Sequence, residues 1–408
     1  MNRYKNIILI ATVALLFNAC NFLLGSKDDD VTEEIFEAGS IDPNLQQNAV
    51  GYVPILPFWT DLSNPIDVYV GYDEMIYIID DNGINVYDQK GIPQRQFVVT
   101  GATDIIQDRR IHTFVTGRVD KDIDGDGITE NVAAVYHLQN TATADGPIFI
   151  DTLIHPLNDI TRNNTAFRGA DDEAVQFTGL AVLSDNTLYV SRTGPRNSIT
   201  SISRPDNAVL FYNEEGTNIA YANGLNALNS SLKSALNISA IATEVGPPQS
   251  LGGVSSSSNF VLLQIADEAE FKALHILKFV DPESGVEYTE DATFTSMNLD
   301  RADRFMYEPF RFKQPADVYI APDVTKYIFI VDSELDSLYQ FTSIGYEGVN
   351  PPPTATTTKQ IIASFGGEGS GPFQFNEPSG VCYFEETIFV ADKGNNRICR
   401  YRLSTDIE

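Results

Sequence analysis

From about residue 64 onward, apolar residues come in short runs set between clusters of Gly, Asn, Asp and Pro. Within the runs apolar and polar positions alternate, the period-two signature of strands. Three stretches share one rhythm: "NPIDVYVGYDEMIYIIDDNGINVYDQKG" (Asn64–Gly91), "QPADVYIAPDVTKYIFIVDSELDSLYQF" (Gln314–Phe341) and "FNEPSGVCYFEETIFVADKGNNRICRYRL" (Phe375–Leu403). Each reads as Pro, strand, polar turn, a second strand ending in Asp (Asp80, Asp332, Asp392), another turn and a third strand. Weaker copies start at Gly101, Phe177 and Asn237. Six units of roughly 40 to 75 residues built from short antiparallel strands predict the blades of a propeller.

The last unit shows only three strands before Glu408, and a blade needs four. "VGYVPILPFW" (Val50–Trp59) is strand-like and precedes the first full unit. The pattern therefore predicts that Val50–Trp59 pairs with Ile398–Leu403 and closes the ring, removing its exposed edges. Cys382 and Cys399 fall on the first and third strands of that unit. Two strand spacings, about 9.6 Å, exceed the roughly 7 Å a disulfide tolerates, so two buried thiols are expected.

The terminal unit resembles the NHL repeat, through "FGGEGSGPFQFNEPSGV" and "IFVADKGNNRI". The resemblance is specific over residues 365–401 and looser over Asn64–Gly91 and Gln314–Phe341. It implies an all-β, six-bladed β-propeller.

The N-terminus reads differently. Arg3 and Lys5 precede an apolar run, Ile7–Phe17, broken only by Thr12. This is too short for a spanning helix, which needs about 20 residues. It ends in "LLFNAC", similar to a bacterial lipobox, with Cys20 as the lipidated residue; the alternative is a secretory peptide cleaved near Ala19. "NFLLGSKDDDVTEE" follows, an acidic block of the kind that forms a solvated tether. It also resembles the surface-export signals of some Gram-negative lipoproteins. The expected organisation is a signal peptide at 1–19, a tether at 20–48 and a propeller at 49–408. The expected location is the outer membrane or cell surface of a Gram-negative bacterium, held by a lipid anchor. The formal charge of −29 grows by two when Arg3 and Lys5 are removed. Such a surface repels nucleic acid and favours cations.

Candidate chemistry is concentrated in few places. "DKDIDGDGITENV" (Asp120–Val132) sets Asp122, Asp124 and Asp126 at alternate positions before Gly127, with Glu130 three residues on. That spacing suits calcium, a hard cation taking six to eight oxygens. Ile128 would add its carbonyl and Asp120 an outer contact. The loop resembles the calcium loops of dockerins and integrin-type propellers but lacks flanking helices; the alternative is an acidic hairpin turn without metal. At the start of each first strand the aligned residues are Asp67, Asp104, Gly179, Ser239, Asp317 and Gly380. Three Asp on one ring could hold a cation or sugar hydroxyls, or could cap entry turns. Loops expected on one face carry Arg192, Arg196, Arg204, Arg301, Arg304 and Arg311, available to an anionic ligand or to neighbouring acids. His112, His137, His155 and His275 miss the channel positions, and G-x-S-x-G, P-loop and C-x-x-C motifs are missing. The first expectation is a surface binding module for a glycan or protein, with enzymatic activity uncertain. A metal-dependent hydrolase or lyase using Asp67, Asp104 and Asp317 in the channel, and a scaffold subunit of an outer-membrane complex, are the alternatives.

Overall fold

The computed structural model describes residues 50–407 apart from 162–166, 197–205, 223–236, 249–254, 282, 284 and 354. Cys20, the signal and tether segments, and Arg204 lie outside the described residues.

Six four-stranded antiparallel sheets form the blades. In chain order they are β2 (Asp67–Val70), β3 (Ile76–Asp80), β4 (Gly83–Tyr87) and β5 (Pro93–Phe97); then β6 (Ile105–Gln107), β7 (Thr113–Lys121), β8 (Glu130–Gln139) and β9 (Ile148–Ile154). The third comprises β10 (Gln176–Val182), β11 (Leu188–Thr193), β12 (Ala208–Tyr212) and β13 (Asn218–Ala222). The fourth comprises β14 (Ile238–Thr243), β15 (Phe260–Gln264), β16 (Ala273–Asp281) and β17 (Gly285–Glu290). The fifth comprises β18 (Pro315–Ile320), β19 (Ile328–Asp332), β20 (Ser337–Phe341) and the two-residue β21 (Phe365–Gly366). The sixth takes β22 (Pro378–Phe384), β23 (Thr387–Asp392) and β24 (Arg397–Leu403) from the C-terminal end, and β1 (Tyr52–Pro54) from the N-terminal side. First strands touch in cyclic order, β2 to β6, β10, β14, β18, β22 and back to β2. The protein is a six-bladed β-propeller.

Closure follows the predicted pairing. Tyr52 faces Leu403, Val53 faces Arg402 and Pro54 faces Tyr401, and Trp59 bridges to Ile398 further along. Trp59 stacks on Tyr87 of the first blade at 5.7 Å and lies under the Arg400 guanidinium. The strap therefore joins the last blade to the first.

Second strands depart from strict alternation. β3, β15, β19 and β23 are buried at every residue, because neighbouring blades cover both faces. Continuous apolar runs such as "IYII" and "FVLL" are the sequence form of that environment. The repeated Asp at the end of these strands anchors the turns. Asp332 accepts the backbone N–H groups of Lys313, Gln314, Glu334 and Leu335. Asp392 accepts from Asn376 N–H, Asn395 Nδ2 and Arg397 Nε. Cys382 and Cys399 are free and buried, and burial pushes both thiols up to about 12.

Candidate functional site

The first strands start at one face, and β-bulges shape that start. In the third to sixth blades the register slips between Phe177 and Gly179, Ile238 and Ala240, Pro315 and Asp317, and Pro378 and Gly380. A bulge leaves one residue unpaired and re-aims its side chain. Those residues are Thr178, Ser239, Ala316 and Ser379, and with Ile66 and Thr103 they line a cup of about 640 Å³ at the channel mouth. Gln176, Asn237, Thr193, Phe177 and Arg118 add to its wall.

One layer deeper come Asp67, Asp104, Gly179, Ala240, Asp317 and Gly380. The fourth member of that ring is therefore Ala240 and not Ser239; the bulge shifts Ser239 up into the hydroxyl ring, where its Oγ donates to Pro315 O at 2.8 Å. Ser379 does the same toward Pro65 O at 2.9 Å.

The three carboxyl groups stitch blade to blade. Ile105 N–H donates to Asp67 Oδ2 at 3.1 Å, Leu180 N–H to Asp104 Oδ2 at 2.6 Å and Val381 N–H to Asp317 Oδ2 at 2.8 Å. Where no Asp occurs, blades approach directly: a Cβ on Gly380 would lie 2.8 Å from Asp67 Cα. The carboxyls also floor the cup. Burial pushes Asp67 up to about 6 against the pull of its backbone hydrogen bonds. Burial and the neighbouring acids raise Asp104 and Asp317 further above the ordinary carboxylate range. Burial thus disfavours the charged form of all three carboxyls. Below them the channel narrows to about 40 Å³, walled by Val68, Tyr69, Ile106, Val318 and Tyr319.

The acidic loop joins β7 to β8 on the cup's face. Carboxylate oxygens of Asp122, Asp124 and Asp126 lie within 4.8 Å of one another. Asp122 accepts from Gly125 N–H and Gly127 N–H, Asp124 from Asp126 N–H, Asp126 from Ile128 N–H, and Glu130 from Ile123 N–H. These bonds hold the carboxylates inward. Gly127 sits at φ +87°, a left-handed turn that glycine adopts without strain. Asp120 lies on β7, bonded to Asn131 Nδ2 at 2.7 Å, outside the compact cluster. Asn131 O in turn accepts from Arg118, a residue of the cup's wall whose guanidinium also donates to Val175 O at 3.1 Å.

The expected arginines do not converge. Arg192 is only 2% exposed and pairs with Asp159, while its Nε donates to Asp206 O. Arg196 pairs with Asp171 at 2.6 Å and Arg304 with Glu308 at 3.4 Å. Each guanidinium is taken up by its own carboxylate. His155 and His275 pair with Asp172 and Asp291, both at 2.9 Å. His112 and His137 bond each other at 2.8 Å.

Residues 375–401 match the NHL repeat family. The chain carries an NHL repeat. Solved structures similar to it include an auxiliary nutrient binding protein from Bacteroides thetaiotaomicron, at 10% identity, 88% of this chain, 77% of that one and a TM-score of 0.49. Virginiamycin B lyase from Staphylococcus aureus matches at 12% identity, 86% of this chain, 99% of that one and a TM-score of 0.44. PQQ-bound aldose sugar dehydrogenase from Streptomyces coelicolor matches at 10% identity, 88% of this chain, 99% of that one and a TM-score of 0.47. No curated protein matches the chain.

Proposed function

We propose that this NHL-repeat protein is a binding module of the cell envelope, and that a small glycan occupies the cup. One observation carries the reading: a 640 Å³ cup, within the range of about 300–1,000 Å³ for ligand sites, with side-chain hydroxyls above and carboxyls below. A polyhydroxy ligand needs paired donors and acceptors at close spacing. Ser239 and Ser379, whose protons go to backbone carbonyls, offer acceptors; the Thr103 and Thr178 hydroxyls and the carboxyls beneath extend the set. Phe177 and Ile238 give the ring carbons an apolar wall. Titration of the protein with a panel of oligosaccharides tests this. The Ala316→Trp variant, which fills the cup, should abolish any heat seen with wild type, and Gln176→Ala, at the exposed edge of the wall, should weaken binding about threefold to fivefold, as for one lost hydrogen bond. A ligand that binds the Ala316→Trp variant as tightly as wild type sits elsewhere, and the reading fails.

A channel enzyme with metal on Asp67, Asp104 and Asp317 is less well supported. Each of these carboxylates already accepts a backbone N–H from the next blade. Among the described residues, the one compact cluster of possible metal ligands is Asp122, Asp124 and Asp126.

Calcium in that loop is the second element of the proposal, with Glu130 and the Ile128 carbonyl completing the set. Its role is structural: the bonds from Asp120 through Asn131 to Arg118 connect the loop to the cup's wall. A cation bound only to the folded state stabilises by about 2.7 kcal/mol at a hundredfold excess over Kd. Chelation is expected to lower the melting temperature, calcium to restore it, and magnesium to restore it poorly because of its tighter octahedral demand. Identical melting with chelator and with millimolar calcium removes the structural role.

The envelope location rests on the sequence before residue 49. Cys20→Ala should abolish labelling by a fatty-acid probe and release the protein from membranes. A variant still labelled and still sedimenting with membranes overturns the lipid anchor.

A further inference from the structure

A second cavity, of about 320 Å³, opens on the face opposite the cup. It forms where β18 turns into β19, where β22 turns into β23, and where the chain runs on past β24. Three tyrosines wall it: Tyr52, Tyr327 and Tyr383, none more than 8% exposed. Three acids join them: Asp323, Glu386 and Asp406. None of the described lining residues is basic. Lys326, in the same turn as Asp323, is directed instead to the fourth blade, its Nζ meeting Glu244 O at 3.5 Å and the Glu244 carboxylate at 3.8 Å. Arg402 is bound to Glu385 O and the Thr387 hydroxyl. The negative charge inside the cavity is therefore not neutralised from its walls.

We infer that this cavity binds an alkylammonium group, a cation held over tyrosine rings and flanked by carboxylates. Its parts are fixed in advance. Tyr383 Oη donates to Asp323 Oδ2 at 2.7 Å, while the other Asp323 oxygen accepts Thr325 N–H at 2.8 Å, so that carboxylate cannot swing away. Tyr52 Oη donates to Gln340 at 2.6 Å, which locks its ring. Tyr327 Oη accepts Asn350 N–H at 3.2 Å, which fixes its ring. Burial first, and then the charges of Asp406 and Asp323, push the Tyr327 hydroxyl up, which agrees with a negative potential in the cavity. Ring faces attract ammonium groups through their quadrupole, more strongly where water is excluded. Carboxylates at the rim add long-range attraction that salt screens. A neutral ligand of the same shape gains neither, and an anion is repelled by all three acids.

The test is calorimetric titration of the full chain in non-ionic detergent with choline and with n-butylammonium. The neutral isostere 3,3-dimethyl-1-butanol is the control. We expect saturable one-to-one binding of an ammonium probe, none of the isostere, and weakening as salt rises. Tyr327→Leu should weaken binding about tenfold and Tyr327→Phe about twofold or less, because the ring face carries the attraction. Glu386→Gln and Asp406→Asn, at the solvent-facing rim, should each weaken it about threefold. The cup variant Ala316→Trp should leave it unchanged. Absence of heat from both ammonium probes at tens of millimolar overturns the inference. So does equal binding of the isostere, or an unchanged Kd in Tyr327→Leu, Glu386→Gln and Asp406→Asn proteins that keep the wild-type circular dichroism.

Discussion

Deleting residues 49–60 should leave a chain that no longer folds to a stable monomer. The deletion removes β1 and its pairing with Tyr401, Arg402 and Leu403, together with the exchange of backbone bonds between Trp59 and Ile398. It also removes Tyr52, 3% exposed, Phe58, which packs edge-on against Tyr401, and Trp59, which packs against Tyr87 and Phe389. Truncating a packed aromatic costs about 3–5 kcal/mol. Two such losses approach the whole stability of an ordinary domain, about 5–15 kcal/mol. The new edge is β24, whose N–H and C=O groups would face solvent beside Ile398 and Tyr401, a template for pairing between chains. The measurements are soluble yield and thermal melting. Adding a synthetic peptide of residues 50–61 should recover part of the lost stability, which separates lost closure from general damage. An unchanged melting temperature after the deletion would show that the ring does not depend on its strap.

That closure was legible in the sequence has a simple cause. The repeat is local, so three strands followed by an end announce a missing fourth, and strand alternation marks Val50–Trp59 as the candidate. The second-strand Asp was equally legible, because Asp80, Asp332 and Asp392 recur at one position. The cup was not. A bulge inserts one residue into a strand without changing its composition, so counting by twos placed Ser239 on the floor ring when it belongs one layer up. Arg118 was missed because nothing along the chain marks it; its place in the wall depends on partners at Asn131, Glu173 and Val175. The same holds for the tyrosine cavity, assembled from turns more than 50 residues apart in the chain as well as from Tyr52. The fourth strand of the fifth blade was hidden for another reason. It is only Phe365–Gly366, and the stretch before it, with Val349 bridged to Ile361, covers much of that edge instead. The loop arginines looked like a cluster because basic residues are scarce in the chain, yet the same excess of acids supplies carboxylates to Arg192, Arg196, Arg304 and Arg311.

Asp392→Ala should be the most damaging single substitution in the sixth blade, at about 3–5 kcal/mol, the usual cost of breaking a buried ion pair from one side. The Asp392 side chain is fully buried and lies 2.7 Å from Arg397, itself 11% exposed. Removing the carboxylate takes the acceptor from four donors at once: the Asn376 N–H, one Asn395 amide N–H, the Arg397 Nε and the Cys399 thiol. Arg397 keeps carbonyl partners at Ser370, Gly371 and Gln374. Its charge, however, would have no counter-ion in a site stacked over Phe58. The damage should therefore spread into the strap that closes the ring. Asp392→Asn retains one acceptor and should cost less. The Asp392→Ala, Arg397→Ala double variant should lose less than the sum of the two single losses, because the second substitution removes the charge that the first leaves unpaired. Urea unfolding of the four proteins measures this. Additive losses would mean that Asp392 and Arg397 act independently, and the recurring aspartate would then serve the backbone of its turn rather than the guanidinium beside it.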